Sequence, residues 1–194
     1  MQVVLASQSP RRQELLKLIF SDFKVCPADV DESLPDSINT DFAAEYLAVK
    51  KAQAVAKYHG DCLVIGADTV VLCDDKILGK PENEADAAAM LRSLSGRCHR
   101  VITGCALFLS GRHLSFSECT EVEFLPLSDT EIEQYVSSGE PMDKAGAYGI
   151  QGGASLFVKG IDGDYFNVVG LPVAALNQNV KKFLAICGVD YEKE

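Results

Sequence analysis

The run Val3-Val4-Leu5-Ala6-Ser7-Gln8-Ser9-Pro10-Arg11-Arg12 constrains the fold more than any other stretch of the chain. Its apolar start favours a strand, and a few small polar residues then lead to a proline that opens a helix. Ser9 suits the N-cap, and Pro10 suits the first helical position, where its missing N–H costs nothing. The same turn carries chemistry. A helix start presents unpaired N–H groups and partial positive charge, which arginines in the first turn oppose. Arg11 and Arg12 are best accommodated there around an anion, so the turn reads as built for phosphate. The plainer reading is a capped surface helix with solvated arginines.

Further elements follow in alternation. A short strand at 23–26 precedes a polar loop, 27–39, holding Asp29, Asp31, Glu32 and Asp36. The spacing of Phe42, Tyr46 or Leu47, Lys51, Ala54 and Tyr58 predicts a helix over about 41–58. Residues 62–72 are apolar and β-branched, broken only by Gly66-Ala67-Asp68-Thr69, and Asp74-Asp75-Lys76 turns the chain. Asn83 caps a helix that stops at Gly96. Strands at about 99–109 and 113–125 flank Ser110-Gly111-Arg112 as a hairpin, and Ser128-Asp129-Thr130-Glu131 is a capping box for a helix ending at Gly139. A glycine-rich loop at 145–153, a strand at 155–161 and a last helix from Pro172 complete the pattern, with Leu176, Val180, Phe183 or Leu184, and Cys187 inward. Hairpin and crossover connections together predict an α/β fold: a mixed, extended sheet with flanking helices in one domain, 1–194.

Composition excludes several classes. A net charge of −10 argues against a polynucleotide-binding surface. No apolar run approaches the roughly 20 residues that span a bilayer, and the N-terminus lacks the pattern of a secretion signal. A cytoplasmic protein is expected. The seven cysteines are odd in number and contain no C-x-x-C pair, so they read as small buried hydrophobes in a reducing compartment.

Several residues stand out as carriers of chemistry. Asp68 lies within an apolar run, where a carboxylate is costly to bury without a partner. It reads as a metal ligand, a general base, or an aspartate bonded to backbone. Lys51 and Lys80 add cations, and Lys80 is held between Gly79 and Pro81. The stretch Asp143 to Gly153 lets a ligand approach its backbone, with the Gln151 amide offering a donor and an acceptor. His99 and His113 sit among apolar and hydroxyl residues and read as structural.

Taken together, these stretches resemble the Maf family of nucleoside-triphosphate pyrophosphatases, in particular its dTTP/UTP branch. The matching text is Ala6 to Arg12 with Glu14-Leu15-Leu16, Val30-Asp31-Glu32, Lys51-Ala52, Gly66 to Val71 and Gly79-Lys80-Pro81. It continues through Leu94 to Arg97, His99, Val101 to Gly104, Asp143 to Gly152 and Asn167 to Pro172. The resemblance implies two lobes around a cleft, similar to inosine-triphosphate pyrophosphatases. It implies hydrolysis of dTTP and UTP to the monophosphate and pyrophosphate with a divalent metal, Mg or Mn, and a homodimer. Another nucleotide, such as a methylated purine triphosphate, or a nucleotide-binding role in septum formation is the alternative. By position, the resemblance makes Asp68 the general base, and Ser7, Arg11, Arg12, Glu32, Lys51 and Lys80 the phosphate and metal machinery. Glu32 and Asp68 are the expected metal ligands, and Arg11, Thr69 and Gln151 the specificity positions. Lys50 stands where the family often has an acidic residue.

Overall fold

The computed structural model describes residues 1–189, so the end of the expected 1–194 domain lies outside the described range. Strand β1 (Val3–Leu5) leads into helix α1 (Pro10–Leu16), β2 (Lys24–Val25), α2 (Ala43–Ala56), β3 (Leu63–Cys73) and β4 (Lys76–Leu78). Then come α3 (Glu84–Leu94), β5 (Cys98–Leu109), β6 (Arg112–Phe124), α4 (Asp129–Ser137), β7 (Val158–Asp162), α5 (Tyr165–Val169) and α6 (Val173–Cys187). The seven strands form one sheet in the order β2-β1-β3-β5-β6-β7, with β4 paired to β3. β1 runs parallel to β2 and β3, whereas β3–β4 and β6–β7 are antiparallel. The sheet is mixed, as the alternation of elements predicts.

Two compact units divide the chain. One comprises Met1–Asp68, Thr103–Glu118 and the segment from Gly170 onward; the other comprises Thr69–Ile102 and Cys119–Val169. In the first, Val4, Ala6, Ala48, Ala52, Val55, Val64 and Ala106 form a core of small and branched side chains. In the second, Leu91, Leu94, Phe124, Ile132, Tyr148 and Phe157 are among the buried residues of a larger aromatic and aliphatic core.

Helix α2 presents a different face from the one its spacing suggests. Phe42, Tyr46 and Tyr58 are exposed, and Ala43, Ala44, Leu47, Ala48, Ala52 and Val55 are buried. The reason lies in the strands beneath it. A Cβ on Gly66 would lie 2.5 Å from the Ala48 carbonyl oxygen, and one on Gly104 would overlap the backbone at Ala44 and Glu45. The helix rests so close to the sheet that alanines sit where it crosses Gly66 and Gly104, while Tyr46 and the flanking Phe42 and Tyr58 are exposed. β3 runs unbroken through Gly66-Ala67-Asp68-Thr69, the stretch that interrupts the apolar run.

Local chemistry accounts for the remaining boundaries. Asp74 and Asp75 (φ 50° and 59°) and Ser110 and Gly111 (φ 49° and 76°) each form a two-residue turn with both residues left-handed. That is the geometry of tight hairpins, and the first of them adds β4, which the sequence reading lacks. The Ser128–Glu131 capping box is present in full, and the Asn83 side chain caps α3. Helix α1 stops at Leu16, and Leu15, Leu16 and the following Ile19 are buried. β7 begins only at Val158, because Gly153–Leu156 forms a 3₁₀ turn. The cysteines depart from expectation too. The departure is in burial alone, since only Cys73 and Cys105 are buried and Cys98 and Cys119 are exposed, whereas all seven are free thiols.

Candidate active site

Asp68 is buried (8% exposed) within β3, and its Oδ1 accepts a hydrogen bond from Lys51 Nζ at 2.6 Å. The partner that a carboxylate in an apolar strand requires is thus an ammonium group from α2. The same Nζ lies 2.9 Å from Glu32 Oε1, so one lysine joins two carboxylates. Glu32 reaches it from the loop after β2 and remains largely exposed. Its neighbour Asp31 folds back instead, accepting from the Ser33 backbone N–H at 2.9 Å and from its hydroxyl. These bonds hold the Asp31 carboxyl below its ordinary range. Lys50 lies 3.9 Å from Asp31 and over the Tyr46 ring, so its departure from the family pattern does not intrude on the Lys51 bridge.

The strand-to-helix turn is organised around Arg12. Ser9 caps α1 and its Oγ accepts from the Arg12 backbone N–H. Ser7 Oγ accepts from the Ser9 N–H at 3.3 Å and from Arg12 Nη1 at 3.4 Å. Arg12 Nε donates to the Gly170 carbonyl at 2.9 Å. Burial lowers the guanidinium pKa, the nearby Asp68 and Glu32 charges oppose that shift, and Arg11 adds to it. A half-buried cation whose Nε and Nη1 are both engaged has a fixed orientation, which suits bidentate contact with phosphate oxygens. Gly170 is a partner that sequence reasoning names only within Asn167–Pro172; its φ of 125°, open to glycine, is the signal that marks it.

The remaining expected positions belong to the second unit. Thr69 follows Asp68 in β3 and is half-buried. Lys80 is exposed, and the carbonyl of the preceding Gly79 accepts from the Gly146 N–H at 3.0 Å, tying the lysine's segment to the glycine-rich loop. Gln151 is exposed in a turn closed by the Gly152 N–H on the Gly149 carbonyl at 3.1 Å, while Ile150 beside it is buried. The structure therefore joins Glu32, Lys51 and Asp68 directly and Ser7 with Arg12. It carries Lys80 and Gln151 on segments described only within their own unit.

His99 and His113 stay out of this chemistry. His113 stacks on Phe108 with ring centres 5.1 Å apart. His99 is buried, with Nε2 2.7 Å from the Tyr148 hydroxyl and its ring edge-on to Phe124. Burial pushes its pKa down to about 4. Because the unfolded value is higher, about 6.5, the unfolded chain binds the proton first and stability is lost as pH falls from that value towards 4. Urea unfolding at pH 7.5 and 5.0 is expected to show about 2 kcal/mol of His99-dependent loss. A His99→Gln variant retaining the same pH dependence would contradict this.

A mixed α/β protein with a carboxylate–lysine–carboxylate centre beside a half-buried arginine is the class that fold and site define. The sequence matches the family described as Maf-like protein over residues 2–183, and the chain belongs to that family. A dTTP/UTP pyrophosphatase of Geobacillus sp. (strain WCH70) is 51% identical over 181 residues, covering 93% of this chain and 97% of its own length. One of Bacillus cereus (strain AH187) is 47% identical, covering 93% and 95%. Among solved structures, a HAM1 protein from Coxiella burnetii superposes with a TM-score of 0.52 at 17% identity, covering 94% of this chain and 99% of that one. That likeness concerns the fold.

Proposed function

We propose that this chain hydrolyses dTTP and UTP to the nucleoside monophosphate and pyrophosphate, with Asp68 as the base. The observation that carries the reading is the Lys51 ammonium held between Asp68 and Glu32. Phosphoryl transfer asks mainly for positioning and neutralised charge, and the paired Asp68 is a carboxylate held in one orientation. The similarity to relatives named dTTP/UTP pyrophosphatases across 93% of the chain supports the substrate.

In this reading Ser7, Arg11, Arg12, Lys51 and Lys80 bind the triphosphate oxygens. Asp68 takes the proton from a water that attacks the α-phosphorus. The new O–P bond forms as the bond to the β-phosphate oxygen breaks, and pyrophosphate departs with its charge balanced by the cations. Among the described residues, no three His, Cys, Asp or Glu side chains cluster as a ready metal cage. Two neighbouring carboxylates fit Mg or Mn nonetheless, since magnesium usually takes one or two carboxylates plus substrate phosphates. Glu32 and Asp68 would hold it, and when bound it supplies charge neutralisation on the phosphates.

Base choice falls to Gln151, with Thr69 and Arg11 as the other specificity positions. The Gln151 amide can accept from uracil N3–H and donate to the adjacent carbonyl, a pattern thymine shares and cytosine partly reverses. The wider reading is a single domain acting in the cytoplasm as a homodimer, removing surplus or modified nucleotides. Product analysis tests the core of it. With Mg²⁺ or Mn²⁺, dTTP is expected to give dTMP and pyrophosphate with no dTDP on the way. Release of orthophosphate with dTDP as the first product would overturn the assignment.

A further inference from the structure

We propose that Tyr135 and Glu140 are positioning residues for base selection, clamping the two ends of the Gly149–Gly153 turn so that the Gln151 amide is presented in one place. The inference rests on the reading of Gln151 as the base-recognising residue, and it goes beyond that reading by assigning what holds the residue still. A side chain that discriminates by hydrogen bonding is effective only if its rotamer and backbone are fixed, because an amide free to swing can satisfy either base edge.

The clamp is a closed set of hydrogen bonds in the second unit. Tyr135, at the C-terminal end of α4, donates its hydroxyl to Glu140 Oε1 at 3.0 Å and accepts from the Gly149 N–H at 3.3 Å. The other oxygen, Glu140 Oε2, accepts from the Gly153 N–H at 3.0 Å. One phenol and one carboxylate therefore grip the backbone on either side of Gln151, and the link between them fixes the two grips to each other. The Tyr135 ring is buried against Phe157, with centres 5.2 Å apart, so the post itself is rigid. Burial pushes the phenol pKa upward, which keeps the hydroxyl protonated and able to donate.

The glycines are explained by the same post. A Cβ on Gly152 would overlap the Glu140 carboxylate, and one on Gly149 would lie 2.6 Å from Lys144 Cε. The Gly153 position would bring a Cβ 3.3 Å from the Tyr135 ring. The turn has its glycines where it wraps the clamp and its one amide side chain at the exposed crest. Lys144 closes the base of the arrangement, donating to the Glu140 carbonyl at 2.5 Å and to Asp143 Oδ1 at 2.7 Å.

The test compares Tyr135→Phe, Glu140→Gln and Gln151→Ala in the full chain, with kcat and KM measured for UTP and CTP. Tyr135→Phe removes both hydroxyl bonds and is expected to lower the UTP-over-CTP preference in kcat/KM about ten-fold. The loss is expected in the KM for UTP, with kcat and the CTP values changed far less. Gln151→Ala is expected to lower the preference similarly, and the double variant Tyr135→Phe/Gln151→Ala no further, because the clamp acts only through the amide. Amide hydrogen exchange at Gly149 and Gly153 rises in the clamp variants. If Tyr135→Phe fails to fold, Glu140→Gln carries the same comparison. An unchanged preference in the clamp variants, or an equal fall for UTP and CTP, overturns the clamp while a lowered preference in Gln151→Ala leaves the base reading intact. An unchanged preference in Gln151→Ala itself overturns both.

Discussion

Replacing Asp68 with asparagine is expected to lower kcat for dTTP by about 10²–10⁴-fold, the usual cost of removing a general base. The loss grows if the same carboxylate also helps to hold a metal. The fold is expected to survive the change. Asparagine keeps an oxygen facing Lys51, and Lys51 keeps its contact with Glu32 at 2.9 Å, so no buried ammonium is stranded. The measurement is steady-state kinetics with dTTP beside a thermal unfolding curve. A folded Asp68→Asn protein with near-normal kcat would reduce Asp68 to a structural ion-pair partner. Substituting Lys51 instead strikes at stability as well, because Asp68 would then be a buried carboxylate without its counter-charge.

The largest expected effect on stability comes from Gly104→Ala, a change of one methyl group. The added carbon would overlap the peptide joining Ala44 and Glu45, and a backbone, unlike a flexible side chain, cannot give way locally. Helix α2 would have to lift from the sheet, at a cost of about 3 kcal/mol. That corresponds to a Tm lowered by roughly 10 °C for a domain of this size. Because α2 carries Lys51, activity is expected to fall along with stability. Gly160→Ala supplies the control, since nothing lies within 4 Å of its added carbon. Differential scanning calorimetry of the two variants decides the matter, and a Gly104→Ala midpoint within 2 °C of the control (about 0.5–1 kcal/mol) would show that the helix has room to spare.

Patterns with local causes were legible in the sequence. The Ser128 capping box, the Asn83 cap, the proline-led first helix, the turn at Asp74-Asp75 and the hairpin at Ser110-Gly111 all follow from interactions within a few residues, and all are present. The need of Asp68 for a partner was legible as well, from the cost of burying charge. What the sequence did not disclose was set by contacts distant along the chain. The outward turn of Phe42 and Tyr58 depends on Gly66 and Gly104 in strands that α2 meets only in the folded state. Spacing along a helix reports a face but not how much room lies beneath it. Likewise Tyr135 lies in an ordinary amphipathic helix, and its bond to Gly149 is invisible until the intervening segment has folded back.

The bond from Arg12 to the Gly170 carbonyl joins residues 158 positions apart. A ribosome delivers the first of these long before the second. Throughout most of synthesis the guanidinium has no Gly170 carbonyl to donate to, and only the local Ser7 and Ser9 contacts are within its reach. β1 must also await β3, its parallel neighbour, before it becomes a strand at all. Closing so long a loop is an entropic cost that comes before any reward from the contact. If Arg12 binds phosphate as proposed, a nascent chain cut short before residue 170 carries the arginine without the carbonyl that fixes its Nε.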